Sequence, residues 1–115
     1  IVHAAYWHEQ DVAEALPRLL AQVPDIDALV TVSDLMAIAA MAHLRASGRR
    51  VPEDVAVVGF DDLSIAQFSS PPLTTIRQDL PLAGKMLAQN LIQYLETGIV
   101  NNVTLPVSLV VRKSA

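Results

Sequence analysis

A parallel α/β sheet covered by helices is the fold this sequence predicts, and three observations predict it. Val55–Phe60 reads VAVVGF, a continuous apolar run of the kind that a strand buried on both faces of a parallel sheet carries. Candidate strands alternate with candidate helices along the chain, which is the signature of βαβ units with right-handed crossovers. The apolar material is aliphatic: 52% of the 115 residues are hydrophobic, 4% aromatic and 17% charged. That balance suits layers of helix on sheet and is too apolar for a disordered segment.

Strands are expected at Ile1–Ala5, Asp27–Val32, Val55–Phe60, Leu73–Gln78 and Val103–Arg112. The first helix, Gln10–Val23, is amphipathic through Val12, Leu16, Leu19 and Leu20. Pro17 inside it is expected to kink it or to start a new turn. The second helix, Leu35–Ser47, has Ser33 or Asp34 as its N-cap and Gly48 as its stop. The third, Leu80–Thr97, carries Pro81 in its first turn and ends at Gly98. Its residues Leu82, Met86, Leu87, Leu91, Tyr94 and Leu95 fall on one face.

Composition also excludes functions. No apolar run approaches the ~18 residues of a membrane span. A net charge of −4 argues against a grip on a phosphate backbone. Arg45, Arg49 and Arg50 cluster at a helix end, where they complement the helix dipole and solvate the surface. The chain lacks cysteine, so no disulfide framework exists. His3, His8 and His43 are scattered without metal-ligand spacing, and no catalytic triad or phosphate loop is visible, so neither metal, cofactor nor chemistry is expected. The chain opens IVHAAYW, with no initiating Met or signal-peptide pattern, and reads as a piece of a longer protein.

Open parallel sheets bind ligands beyond the carboxyl ends of their strands, where loops and helix N-termini converge. Each conspicuous polar or aromatic group falls at such an end: Trp7 after the first strand, Ser33 and Asp34 after the second, Asp61 and Asp62 after the third, and Gln78 ending the fourth. An ionised Asp61 can accept from vicinal hydroxyls or from the N–H groups of a base. Trp7 can stack on the apolar face of a ring. Asp62 is read as the cap of a short helix beginning near Leu63. Asp34 is read as stabilising the second helix start and the crossover loop. For Ser33, capping and ligand contact stand equal; for Gln78, ligand contact and a tie between crossing strands stand equal.

The stretch Val51–Leu80, VPEDVAVVGFDDLSIAQFSSPPLTTIRQDL, resembles the core of the effector-binding domain of lac-repressor-family transcription regulators. That family follows VPEDVAVVGFDD with a spacer, PPLTT and an (I/V)xQ strand, and the resemblance extends from Trp7 to the terminal LPVSLVVRKSA. It implies an incomplete type I periplasmic-binding-protein-like fold in which two lobes enclose a small, sugar-like effector. Residues 1–79 would be the later part of the C-terminal lobe, 80–107 a crossover helix and strand of the N-terminal lobe, and 108–115 the return segment. The family's contact positions fall on Asp61 and, by spacing, Trp7. Ser33 departs from the family's more usual Asn, offering one shorter hydroxyl where Asn offers a donor and an acceptor on a longer arm.

The second helix is apolar nearly all round, although covering a sheet needs one stripe. Its surplus face, Ala37, Ile38, Met41 and Ala42, with Ile65 and Phe68 nearby, is expected to meet a second copy, and the family dimerises through matching segments. The resemblance thus implies a cytoplasmic repressor that reads operator DNA through a separate N-terminal domain. A transporter's solute-binding protein, which shares the fold, is the alternative. An aspartate-based phosphoryl receiver is disfavoured, because its acidic pair would follow the first strand of the sheet rather than the third.

Overall fold

The structure, a computed structural model, describes residues 9–115. The expected strand Ile1–Ala5, together with Trp7, His3 and His8, lies outside the described residues. In chain order the elements are α1 (Glu9–Gln22), β1 (Ala28–Val30), α2 (Asp34–Ala46), β2 (Ala56–Asp61), a 3-10 turn (Ser64–Gln67), β3 (Thr74–Gln78), α3 (Leu80–Thr97) and β4 (Val107–Val110). The sheet order is β1-β2-β3-β4. β1 pairs β2 in parallel, Leu29 opposite Val57, and β2 pairs β3 in parallel, Gly59 opposite Thr75 and Asp61 opposite Arg77. The α/β fold expected from the sequence is therefore present.

The chain divides into two compact units, the first running through Arg77 and resuming at Leu109–Ala115, the second spanning Gln78–Ser108. In the first, α1 packs on α2 and α2 packs on β2. Val12 and Leu16, four residues apart and so on one face of α1, join Ala37, Ala40, Met41 and Leu44 of α2, Val55, Val57, Ala66 and Leu73 in one buried cluster. α1 continues through Pro17 as a single helix instead of starting afresh. Pro17 and Ala13, whose carbonyl loses its helical partner there, are both exposed, so water can satisfy the released group.

α2 begins where the Ser33 side chain accepts a hydrogen bond from the Met36 N–H (3.3 Å) and stops before Gly48, whose φ of +82° is open to a residue without Cβ. Its buried stripe is Asp34, Ala37, Ala40, Met41 and Leu44. This corrects the expected partner face. Ala37 and Met41, 0% and 2% exposed, are spent on the chain's own core, since an all-apolar helix does not reveal from sequence which face the sheet takes. The outward face carries Leu35, Ile38 and Ala42, with Ile65 and Phe68 exposed nearby along the chain.

In the second unit, α3 starts at Asp79, whose Oδ1 accepts from the Leu82 N–H (2.9 Å), has Pro81 in its first turn and ends at Gly98 with φ +72°. None of its residues is buried; Leu87, Leu91 and Leu95 are exposed. β4 is shorter than the expected Val103–Arg112. Pro106, which has no N–H for a ladder, precedes its first residue, and Arg112–Ser114, which belong to the first unit, instead bond to β2, β3 and the segment before β3.

Candidate functional site

The turn after β2 is built around a buried carboxylate. Asp34, at the first position of α2, is fully buried. Its Oδ2 accepts from the Leu63 N–H (2.6 Å) and its Oδ1 from the Thr75 hydroxyl (2.5 Å). It thereby joins α2, β3 and the loop following β2, the stabilising role expected for it. Gly59 makes this possible: a Cβ there would run into Asp34 Oδ1 and stand 2.9 Å from Leu73 Cδ2. The glycine of Gly-Phe-Asp-Asp is thus required for close packing, not for backbone freedom.

Beyond Gly59 the backbone turns through unusual conformations. Asp61 and Asp62 have φ of +112° and +52°. For residues with a Cβ such conformations cost on the order of 1–3 kcal/mol each and persist only where surrounding contacts enforce them. Asp61 is the last residue of β2 and half-buried, so its carboxylate stands at a strand's carboxyl end. Ser33 lies near the carboxyl end of β1, where it caps α2. Gln78 is the last residue of β3 and half-buried. Trp7 falls outside the described residues.

Asp62 does not cap the short helix. The 3-10 turn has Leu63 at its N-cap position without a side-chain cap bond. The Asp62 side chain, 9% exposed, instead accepts from Arg112 (2.6 Å) and Arg77 (2.5 Å). Burial on its own pushes this carboxyl upward, but the hydrogen bonds from Arg112 and Arg77 outweigh it and hold the group below the usual carboxylate range. An acid this deeply set needs paired cations, and that requirement rather than helix capping decides its role.

Arg112 is itself fixed. Its guanidinium donates to the Leu73 carbonyl (2.7 Å), and its backbone N–H donates to the Thr74 hydroxyl (2.9 Å). The Lys113 N–H donates to the Pro72 carbonyl (2.9 Å). Ser114, fully buried, donates its hydroxyl to the Val57 carbonyl (2.6 Å) and accepts from the Thr74 N–H (2.8 Å). The terminal Arg-Lys-Ser therefore stitches β2 to β3. Sequence reading missed Arg77, Arg112, Thr75 and Ser114. Their only signal was polar residues interrupting or ending apolar strands.

The arginines at the far end of α2 are ties rather than a patch. Arg45 donates to the Ser70 carbonyl, Arg49 to the Pro24 carbonyl (2.8 Å), and Arg50 pairs with Asp54 (2.7 Å). They line a cavity of about 350 Å³ with Met41, Val51 and Pro71, away from the strand ends that carry Asp61. Among the described residues, no cluster of His, Cys, Asp and Glu could hold a metal ion, and no helix is long and apolar enough to cross a membrane.

A family model described as a periplasmic binding protein-like domain matches residues 2–115. The chain belongs to that family. Among curated relatives, the HTH-type transcriptional regulator CelR of Thermobifida fusca is 48% identical over 96 residues, 84% of this chain and 27% of the relative. The HTH-type transcriptional repressor PurR of Haemophilus influenzae is 34% identical over 110 residues, 91% of this chain and 33% of the relative. The chain thus spans about a quarter to a third of these relatives' length. Among solved structures, a complex of the regulator CelR with cellobiose superposes with a TM-score of 0.85 at 41% identity, covering 95% of this chain and 34% of that one. The lac repressor dimer bound to operator and an anti-inducer gives 0.83 at 36%, covering 94% and 38%. A LacI family regulator from Arthrobacter in complex with lactose gives 0.76 at 33%, covering 93% and 41%. The lac-repressor-family resemblance read from Val51–Leu80 holds across these findings.

Proposed function

We propose that this chain is part of the effector-binding domain of a transcription repressor, sensing a small sugar and modulating operator binding. The observation that carries the reading is the turn after β2. There a buried Asp34, a glycine without room for a Cβ, and an acid clasped by two arginines together hold Asp61 at a strand's carboxyl end. Such a costly backbone is retained where it serves a site. In this reading Asp61 accepts hydroxyls of the sugar, Trp7 stacks on its ring, and Ser33 and Gln78 supply further polar contacts.

Residues 1–79 and 108–115 are assigned to the C-terminal lobe and 80–107 to the N-terminal lobe, with the effector between them. The sugar is proposed to be a disaccharide, on the cellobiose and lactose found with two structural relatives at 41% and 33% identity. Two copies pair through Ile38, Ala42, Ile65 and Phe68, joined by Leu35 on the same helix face. Operator DNA is read by a domain outside these residues, and the protein acts in the cytoplasm. No bond is made or broken. The effector acts only by its differential affinity for operator-competent and operator-incompetent states. A transporter's solute-binding protein shares the fold, but the relatives' names favour a regulator.

The test is a thermal-shift screen of the full-length protein against disaccharides, sugar phosphates and purines, followed by operator binding with and without the hit. A disaccharide that stabilises the protein and changes operator affinity is expected. Stabilisation by a purine alone overturns the sugar assignment, and a hit with no effect on DNA binding overturns the regulatory one.

A further inference from the structure

The geometry points to Asp62 as a positioning residue for the ligand carboxylate of Asp61, acting through the Arg112 side chain that the C-terminal segment brings back to β2. This rests on the proposed role of Asp61. Asp61 and Asp62 are consecutive residues at positive φ, so the direction of the Asp61 side chain depends on whatever holds the turn against relaxing. Asp34 holds it from beneath, through the Leu63 N–H. The two guanidiniums hold it as well, through the carboxylate of Asp62.

The two arginines are not equivalent. Arg77 stands opposite Asp61 across the β2–β3 ladder, and its side chain is 57% exposed, where water and salt screen the pair. Arg112 is 18% exposed and is pinned by the Leu73 carbonyl and by the Thr74 hydroxyl on its own N–H. It presents a fixed donor, so the pair with Asp62 has a defined direction as well as a charge. The two also sit where the first unit is left and rejoined: Arg77 is its last residue before Gln78, and Arg112 follows closely on Leu109. The turn carrying Asp61 is therefore tied to both of those segments and not only to its own strand.

Two measurements on the full-length protein separate this inference from the reading beneath it. The first needs no ligand: amide hydrogen exchange of Asp62→Asn and Arg112→Gln. Exchange at Asp61–Leu63 is expected to rise about tenfold or more while amides of α2 stay within about twofold, as a local opening requires. Unchanged exchange in the turn, or an equal rise throughout, overturns the inference. The second is calorimetric titration with cellobiose. Asp62→Asn and Arg112→Gln are expected to weaken binding about tenfold, Arg77→Gln by less than about threefold, and Arg112→Lys, which keeps the cation but not the fork pinned on Leu73, to fall between wild type and Arg112→Gln. Wild-type affinity in both Asp62→Asn and Arg112→Gln overturns the inference. A wild-type protein that binds no cellobiose refutes the choice of effector instead, and the exchange result then decides the role of Asp62.

Discussion

Gly59→Ala is the sharpest probe of how the site is built, because one methyl group must collide with the buried carboxylate that organises it. The new Cβ would overlap Asp34 Oδ1 and stand 2.9 Å from Leu73 Cδ2, with the Asp34 Cα at 3.3 Å. Neither neighbour gives way easily. Leu73 is fully buried, and Asp34 is held by the Leu63 N–H and the Thr75 hydroxyl. Overpacking of this kind costs about 1–3 kcal/mol. If Asp34 moves away, it also gives up a hydrogen bond to a charged group, worth about 1.5–3 kcal/mol. The expected loss is therefore about 3–5 kcal/mol, measured by denaturant unfolding of the full-length protein. In an Asp34→Ala background the clash with the carboxylate is gone and only the 2.9 Å approach to Leu73 Cδ2 remains, so the same substitution should cost about 1–3 kcal/mol, a departure from additivity. A cost below about 1 kcal/mol in the wild-type background, or the same cost in both, would refute the placement of Asp34 beneath Gly59.

Ile38→Glu, which puts a charge on the outward face of α2, should turn the proposed dimer into monomers in sedimentation equilibrium; an unchanged mass would show that this face does not mediate pairing. Asp62 has its folded-state pKa depressed, because the hydrogen bonds from Arg112 and Arg77 outweigh the opposing effect of burial. It therefore adds stability above the ordinary carboxylate range near pH ~4 and loses it as pH falls through the folded value. Asp62→Asn should be less stable than wild type at neutral pH, and the gap should narrow on acidification below the ordinary carboxylate range. A gap that stays constant on acidification contradicts the ion pairing of Asp62. The exposed Arg50–Asp54 pair, with Asp54 lowered to about 2 chiefly by its hydrogen bond with Arg50, is common to both proteins and cancels. Leu91→Ala on the apolar face of α3 should cost about 2–5 kcal/mol in the full-length protein, where that face is proposed to be covered by the rest of the N-terminal lobe. A cost below about 0.5 kcal/mol would mean that it stays in water.

Much of this fold was legible because its signals are local. α3 lies where Pro81 and Gly98 place it. α2 and β2 are offset by a single residue at each end, since a helix stop and a continuous apolar run declare themselves within a few positions. What escaped depends on distant partners. Asp62 looked like a cap because its neighbours are loop residues, whereas its main partner, Arg112, stands fifty positions along the chain. Ser33 and Asp34 both competed for the start of α2. The structure gives the cap to Ser33 and frees Asp34 to reach Thr75, which required the room left by Gly59. Ala37 and Met41 were placed on the wrong face because periodicity fails when every face of a helix is apolar. The strand ending at Arg112 was read as too long because its last polar residues bond sideways into β2 and β3 instead of continuing a ladder.

Calorimetric titration of the full-length wild-type and Asp61→Asn proteins with cellobiose and lactose decides whether Asp61 is, as proposed, the carboxylate of a sugar-sensing site. At least one disaccharide is expected to bind the wild type. Asp61→Asn, with unfolding unchanged, is expected to weaken that binding roughly 10–100-fold, the loss of one charged hydrogen bond. A disaccharide that binds both proteins with equal affinity would take Asp61 out of the site.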